Sequence, residues 1–106
     1  MRVLIDACLP VQLKDHIPLP GVRTAREMGW QRKKNGELLA LAQQQFDVLL
    51  TMDKNLPDQQ LLSRFDIGLL IIRAPSNRMG DLVPLVPKIV QFLPLVKKGR
   101  ALVLSA

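Results

Sequence analysis

The sequence predicts an α/β fold, with three layers (α/β/α) built on a mostly parallel central sheet in one domain over residues 1–106. Three observations carry this. Val3-Leu4-Ile5, Val48-Leu49-Leu50 and Leu69 to Ile72 are continuous apolar runs, the pattern of strands covered on both faces. Segments with helical spacing separate them, and strands alternating with helices pair in parallel through crossovers. A chain of 106 residues with 48% hydrophobic and 23% charged residues fits one globular core.

Arg2 to Asp6 is the first strand and ends in an acid. Pro10 opens a helix with Val11, Leu13 and Ile17 on its weak apolar face, and Pro18 and Pro20 end it. Gly21 to Thr24 reads as a second short strand, and Ala25 to Met28 as a helical turn closed by Gly29. Asn35 to Phe46 is the clearest helix: Leu38, Leu39, Ala42 and Phe46 share one face, Gln43 and Gln44 the other. Asn35 suits the N-cap, and Glu37 in the first turn suits the helix dipole. Asp47 to Thr51 is the next strand, Asp53-Lys54-Asn55 a loop, and Pro57 opens a short helix to about Phe65. Ile67 to Arg73 is the third central strand, and Ala74 to Gly80 a polar loop. Asp81 to Val96 has helical spacing broken by Pro84, Pro87 and Pro94. Its apolar residues from Leu82 to Val96 run nearly all round the helix, so part of that surface is expected to meet a partner or a second copy of the chain. Ala101 to Leu104 is the last strand.

Fifteen Lys and Arg against nine Asp and Glu give a net charge of +6, which favours polyanionic partners, nucleic acid first. Part of the excess is clustered, at Arg32-Lys33-Lys34 and Lys97-Lys98-Arg100. Cys8 is the single cysteine and His16 the single histidine, which excludes an internal disulfide, a multi-cysteine zinc site and a His–His metal motif. No apolar stretch is long enough to cross a bilayer. An acid at position 6 argues against a secretory leader. The expected location is the cytoplasm, with no membrane partner.

Ligand sites in open α/β sheets lie at the carboxyl ends of the strands. Two strands deliver an acid there: Asp6 directly, and Asp53 two residues past Thr51. Glu37, in the first turn of the helix that feeds the Asp53 strand, is a third. Hard cations such as Mg²⁺ and Mn²⁺ bind through a few carboxylates plus substrate phosphate. Asp6, Glu37 and Asp53 are therefore expected to converge on one divalent ion. Single strand-end acids also serve structural ends, and Asn35 and Asn55 suit helix caps.

The segments VLIDACLP (3–10), TAREMGW (24–30), KNGELLALAQQQFDVLLTMDKNL (34–56) and LLIIRAPSNR (69–78) resemble the short PIN-like family of bacterial and cyanobacterial proteins, relatives of the VapC toxins. The resemblance covers nearly the whole chain. It implies a PIN-like fold, Mg²⁺- or Mn²⁺-dependent cleavage of RNA, and the role of toxin in a toxin–antitoxin pair with a small antitoxin protein as partner. By position, Asp6 matches the first-strand acid and Asp53 the Asp of the Thr-x-Asp segment. Asn35 falls where the family has an acid, Glu37 on a second acidic position, and Glu27 on the helix-two Glu. Arg32, Lys33, Lys34 and Lys54 are the expected RNA contacts. The loop carrying Ser76, Asn77 and Arg78, with the kinked 82–96 segment, is the expected protein contact, for an antitoxin or a homodimer.

The chain departs from the family at Ala7, Asn35 and Asn55, each neutral where relatives often carry a carboxylate. Fewer carboxylates imply a weakly bound ion. They also fit an alternative, a catalytically inactive PIN-like module that holds RNA or protein. A third reading is a receiver-like signalling domain, which shares the strand-end acids, but 101–106 lacks the lysine that receivers carry at the end of the last strand.

Overall fold

The apolar runs become parallel strands. β1 (Val3–Ile5), β2 (Val22–Thr24), β3 (Val48–Thr51), β4 (Gly68–Arg73) and β5 (Ala101–Ser105) form one sheet in the order β2-β1-β3-β4-β5, with every neighbouring pair parallel. The computed structural model describes residues 1–59 and 62–106. The three strands expected at the centre are adjacent and parallel there. Val3 lies opposite Val22 on one side and Val48 on the other, and Val48 lies opposite Gly68.

Side chains alternate across the pleat, so each face of the sheet has its own core. Val3, Ile5, Val48, Leu50, Leu70 and Ile72 enter one cluster; Leu4, Leu49, Leu69 and Ile71 enter the other. The second cluster is closed by Leu38, Leu39 and Ala42 of α1 (Asn35–Ala42) and by Leu56 of α2 (Leu56–Gln59). The first is closed by Leu13 and Ile17 and by the segment that follows β4.

Local chemistry shortens several elements relative to the sequence pattern. Residues 11–16 form a 3-10 helix rather than an α-helix, because Pro10 offers a carbonyl and no N–H, and Leu13 N–H bonds back to it at 3.1 Å. α1 stops at Ala42. Gln44 and Gln45 bond to the carbonyls three residues back, the tightening typical of a last turn. Phe46 is buried beyond the helix end and meets Trp30 edge-on, with ring centroids 6.2 Å apart. The expected helix from Pro57 to Phe65 appears as α2 and a 3-10 turn at Leu62–Arg64; Gln60 and Leu61 lie outside the described residues.

The proline-rich segment is four short pieces: α3 (Met79–Leu82), a 3-10 turn at Val83–Leu85, α4 (Val86–Phe92) and a 3-10 turn at Leu93–Leu95. Pro84, Pro87 and Pro94 each fall in the first turn of a new piece, where a missing N–H leaves no helical bond unmade. Most of the apolar surface of this segment goes to the core of its own chain. Leu82, Leu85, Ile89 and Leu93 are buried and Val86, Val90, Phe92 and Val96 pack against the same core, which leaves Val83 and Leu95 exposed. Successive changes of helical pitch turn the residues inward that a straight helix would splay around its circumference.

Gly68 lets this segment return under the sheet. A Cβ there would stand 2.6 Å from the Lys97 carbonyl oxygen, so a side chain would push the 96–97 backbone off the foot of β4.

Ile89→Ala should destabilise the fold by roughly 2–5 kcal/mol, since it empties a fully buried site. Leu95→Ala, at a residue 61% exposed, should change stability by less than about 0.5 kcal/mol. Urea denaturation of the two variants measures both; equal effects would mean that the segment packs through a different face.

Candidate functional site at the carboxyl edge of the sheet

The strand order reverses between β1 and β3. β1 leaves through the 3-10 helix on one face to reach β2, and β3 leaves through α2 on the other face to reach β4. Crevices at such switch points are where open parallel sheets bind ligands. Asp6 and Thr51 end the two strands here.

Thr51 is fully buried and joins the acids. Its hydroxyl donates to Asp6 Oδ2 at 2.7 Å and accepts the Asp53 N–H at 3.1 Å. The Ala7 N–H donates to Asp6 Oδ1 at 2.8 Å. Asp53 Oδ1 accepts the Asn55 N–H at 3.0 Å, and Asp53 Oδ2 accepts from Asn35 Nδ2 at 3.2 Å. Both carboxylates are half-buried and keep acceptor capacity beyond these bonds.

Cys8 is exposed as a residue, yet its sulfur turns into the site. Sγ lies 3.5 Å from Asp6 Oδ2, 3.6 Å from Thr51 Oγ1 and 3.5 Å from the Met52 nitrogen. Burial of the sulfur, and then the Asp6 charge, push the thiol above its ordinary pKa. Asp6 Oδ2 and Thr51 Oγ1 are the oxygens nearest the sulfur. Asn77 Nδ2 donates to the Cys8 carbonyl at 3.2 Å, so the loop after β4 braces the turn after β1.

Other expected site residues lie elsewhere. Glu37 is exposed and pairs with Lys33 at 3.6 Å, outside the network that joins Asp6 to Asp53. Among the described residues no group of three His, Cys, Asp or Glu side chains is placed to hold a metal ion. Asn35 is not the N-cap: Lys34 holds that position without a side-chain bond, and the Asn35 amide reaches Asp53 instead. That bond sets the exposed Arg32-Lys33-Lys34 stretch beside the turn carrying exposed Lys54. Ser76 accepts the Arg78 N–H and donates to Asp81, which shapes the start of α3.

Glu27 has a structural role that its sequence context could have shown. It accepts the Thr24 N–H at 2.7 Å while the Thr24 hydroxyl accepts the Glu27 N–H at 3.1 Å, the reciprocal bonds of a Thr-x-x-Glu capping box. It also pairs with Lys14 at 2.9 Å and with Arg23 at 3.8 Å. Arg26, singled out by no sequence pattern, is exposed and lines the same crevice as Asp6, Cys8 and Asn77.

Comparison with protein-family models, with curated proteins and with solved structures finds no match for this chain. No helix among the described residues is long and apolar enough to cross a membrane.

The hydrogen bond from Lys14, then the Thr24 N–H, hold the Glu27 carboxyl below its ordinary pKa. A depressed carboxylate adds stability that is complete above its unfolded pKa and is lost as pH falls through the folded one. Glu27→Gln keeps an acceptor for Thr24 and loses the charge. It should melt slightly below the parent at pH 7, by less than about 1 kcal/mol for so exposed a pair. The gap should close as pH falls through the folded-state pKa of Glu27. A gap that persists in acid would show that the charge is not what Glu27 contributes.

Proposed function

We propose that this protein is a divalent-metal-dependent ribonuclease of the PIN-like type, acting as the toxin of a toxin–antitoxin pair. The observation that carries the nuclease reading is the Asp6–Thr51–Asp53 unit at the switch point: two acids at adjacent strand ends, joined by one buried hydroxyl that donates to the Asp6 carboxylate and accepts the Asp53 N–H. The donor chemistry fits a hard cation. The donors are the carboxylate oxygens of Asp6 and Asp53, hard ligands of the kind such a cation takes. Two carboxylates suffice for Mg²⁺ or Mn²⁺ when substrate phosphate completes the shell.

Asp6 and Asp53 would hold the ion. When bound it supplies a nucleophilic water at neutral pH and offsets the charge that builds on the phosphodiester. Thr51, the Ala7 N–H, the Asn55 N–H and Asn35 fix the two carboxylates in orientation. Arg32, Lys33, Lys34 and Lys54 draw in the RNA backbone from the solvent side. Glu37 stays with Lys33 in this scheme and takes no part in holding the ion.

The inactive binding module is favoured by the same neutral positions, Ala7, Asn35 and Asn55. The receiver-like reading is favoured by the strand order β2-β1-β3-β4-β5, which receivers share. β5 carries no lysine, and Asp6 has no second acid beside it.

Cleavage of single-stranded RNA should need Mn²⁺ or Mg²⁺, with Mn²⁺ giving the higher rate because it stands higher in the affinity series. Asp6→Asn should abolish turnover and leave the folded spectrum unchanged. RNA cleaved equally by Asp6→Asn and the parent would remove the catalytic assignment and put the binding module in its place.

A further inference from the structure

The crevice beside Asp6 lies on the β2 side of β1, away from Asp53, and Asp6 is the carboxylate that lines it. It encloses about 240 Å³. One wall is the turn after β1, from Asp6 to Val11; the other is Thr24, Ala25 and Arg26, with Asn77 at the rim. Parallel register sets Ile5 opposite Thr24, and the Ala25 N–H donates to the Ile5 carbonyl at 2.8 Å. Adjacent strands lie about 4.8 Å apart, so the two turns run side by side. Across the carboxyl edge the side chains therefore follow in the order Arg26, Asp6, Thr51, Asp53.

Arg26 differs from the cations near it. Lys14 and Arg23 are both held by Glu27. Among the described residues the Arg26 guanidinium forms no ion pair or side-chain hydrogen bond. A second hollow, about 350 Å³, continues from Arg26 past Val11 and Thr24 to Lys14. The result is a groove with an uncommitted cation at its middle, Asp6 at its inner end, and Pro10 and the exposed Val11 as apolar wall; Asp15 and the ion-paired Glu27 line its outer end.

We propose that this crevice seats one unpaired nucleotide of an RNA strand, next to the bond addressed by Asp6 and Asp53, and that Arg26 receives its phosphate. The proposal rests on the ribonuclease reading and deepens it. A guanidinium presents a planar fork of donors matched to phosphate oxygens. The apolar wall offers a face to sugar or base. A crevice of this size admits one nucleotide splayed from its strand, the form in which proteins read RNA, and not a base-paired stretch. Arg26 is a positioning residue for the strand and takes no proton.

The test is fluorescence anisotropy of a labelled single-stranded octaribonucleotide with the full chain, Ca²⁺ replacing Mg²⁺ to suppress turnover. Arg26→Ala should weaken binding about tenfold and Arg26→Lys about threefold. The slope of log affinity on log salt should flatten by about 0.7 in Arg26→Ala, the loss of one phosphate contact on a single strand. Lys98→Ala, on the opposite edge of the sheet, should stay within about twofold. Arg26 is exposed, and unchanged circular dichroism confirms that each variant folds. Affinity and salt slope unchanged in Arg26→Ala would overturn the subsite. So would a parent protein that cleaves RNA but does not hold the oligonucleotide, and in both cases the ribonuclease reading stands. A parent that neither binds nor cleaves would end both.

Discussion

The carboxyl edge depends on one hydrogen bond, from the buried Thr51 hydroxyl to Asp6. Thr51 has no access to water, and a buried hydroxyl left without a partner costs about 1–3 kcal/mol. Asp6 Oδ2 and the Asp53 N–H are its partners. Satisfying that one group fixes the carboxylate at the end of β1 and the backbone from which the second carboxylate hangs. The bond forms because β1 and β3 are in parallel register, with Asp6 N–H donating to the Leu50 carbonyl at 2.9 Å. The register is set in turn by strands apolar on both faces, since a slip of one residue would exchange the two cores.

Charge is distributed differently at the two edges. At the amino edge, Asp47 accepts the Arg2 N–H at 2.8 Å and Lys98 pairs with Asp66 at 3.5 Å. The Arg2 N–H holds the Asp47 carboxyl below its ordinary pKa. At the carboxyl edge, Asp6 and Asp53 are met by hydroxyl, amide and backbone donors, with basic side chains further out on Arg26, Lys34 and Lys54. Carboxylates spared from direct ion pairs remain available to a cation, whereas Asp47 is already engaged. That contrast is why the proposed chemistry is placed at one end of the sheet.

Much of the fold was legible in the sequence because its signals are local. Val3-Leu4-Ile5 and Leu69 to Ile72 can hardly be anything but buried strands, and the prolines at 84, 87 and 94 mark where the last helical segment breaks. What that break does to the apolar residues was not legible. Whether Val86 and Phe92 turn inward depends on the pitch of each short piece. Asp6 and Asp53 were legible as strand-end acids, but Thr51 was not, since its role needs a partner 45 residues away. An asparagine at 35 serves equally as a cap or as a donor to Asp53, and residue type cannot separate the two. Thr24 and Glu27 did carry a readable capping spacing, hidden because no apolar helix follows it. Arg26 lies outside both basic clusters, and only the β1–β2 register brings it to Asp6.

The central claim is that the Thr51-linked pair of carboxylates holds one divalent ion. Mn²⁺ titrated into ¹⁵N-labelled protein tests it most directly, because paramagnetic broadening reports position without requiring turnover. The account predicts selective loss of the amide signals of residues 6–8 and 51–55, abolished by Asp6→Asn. Broadening centred on Glu37 or Asp66, or broadening at 6–8 that persists in Asp6→Asn, would contradict it.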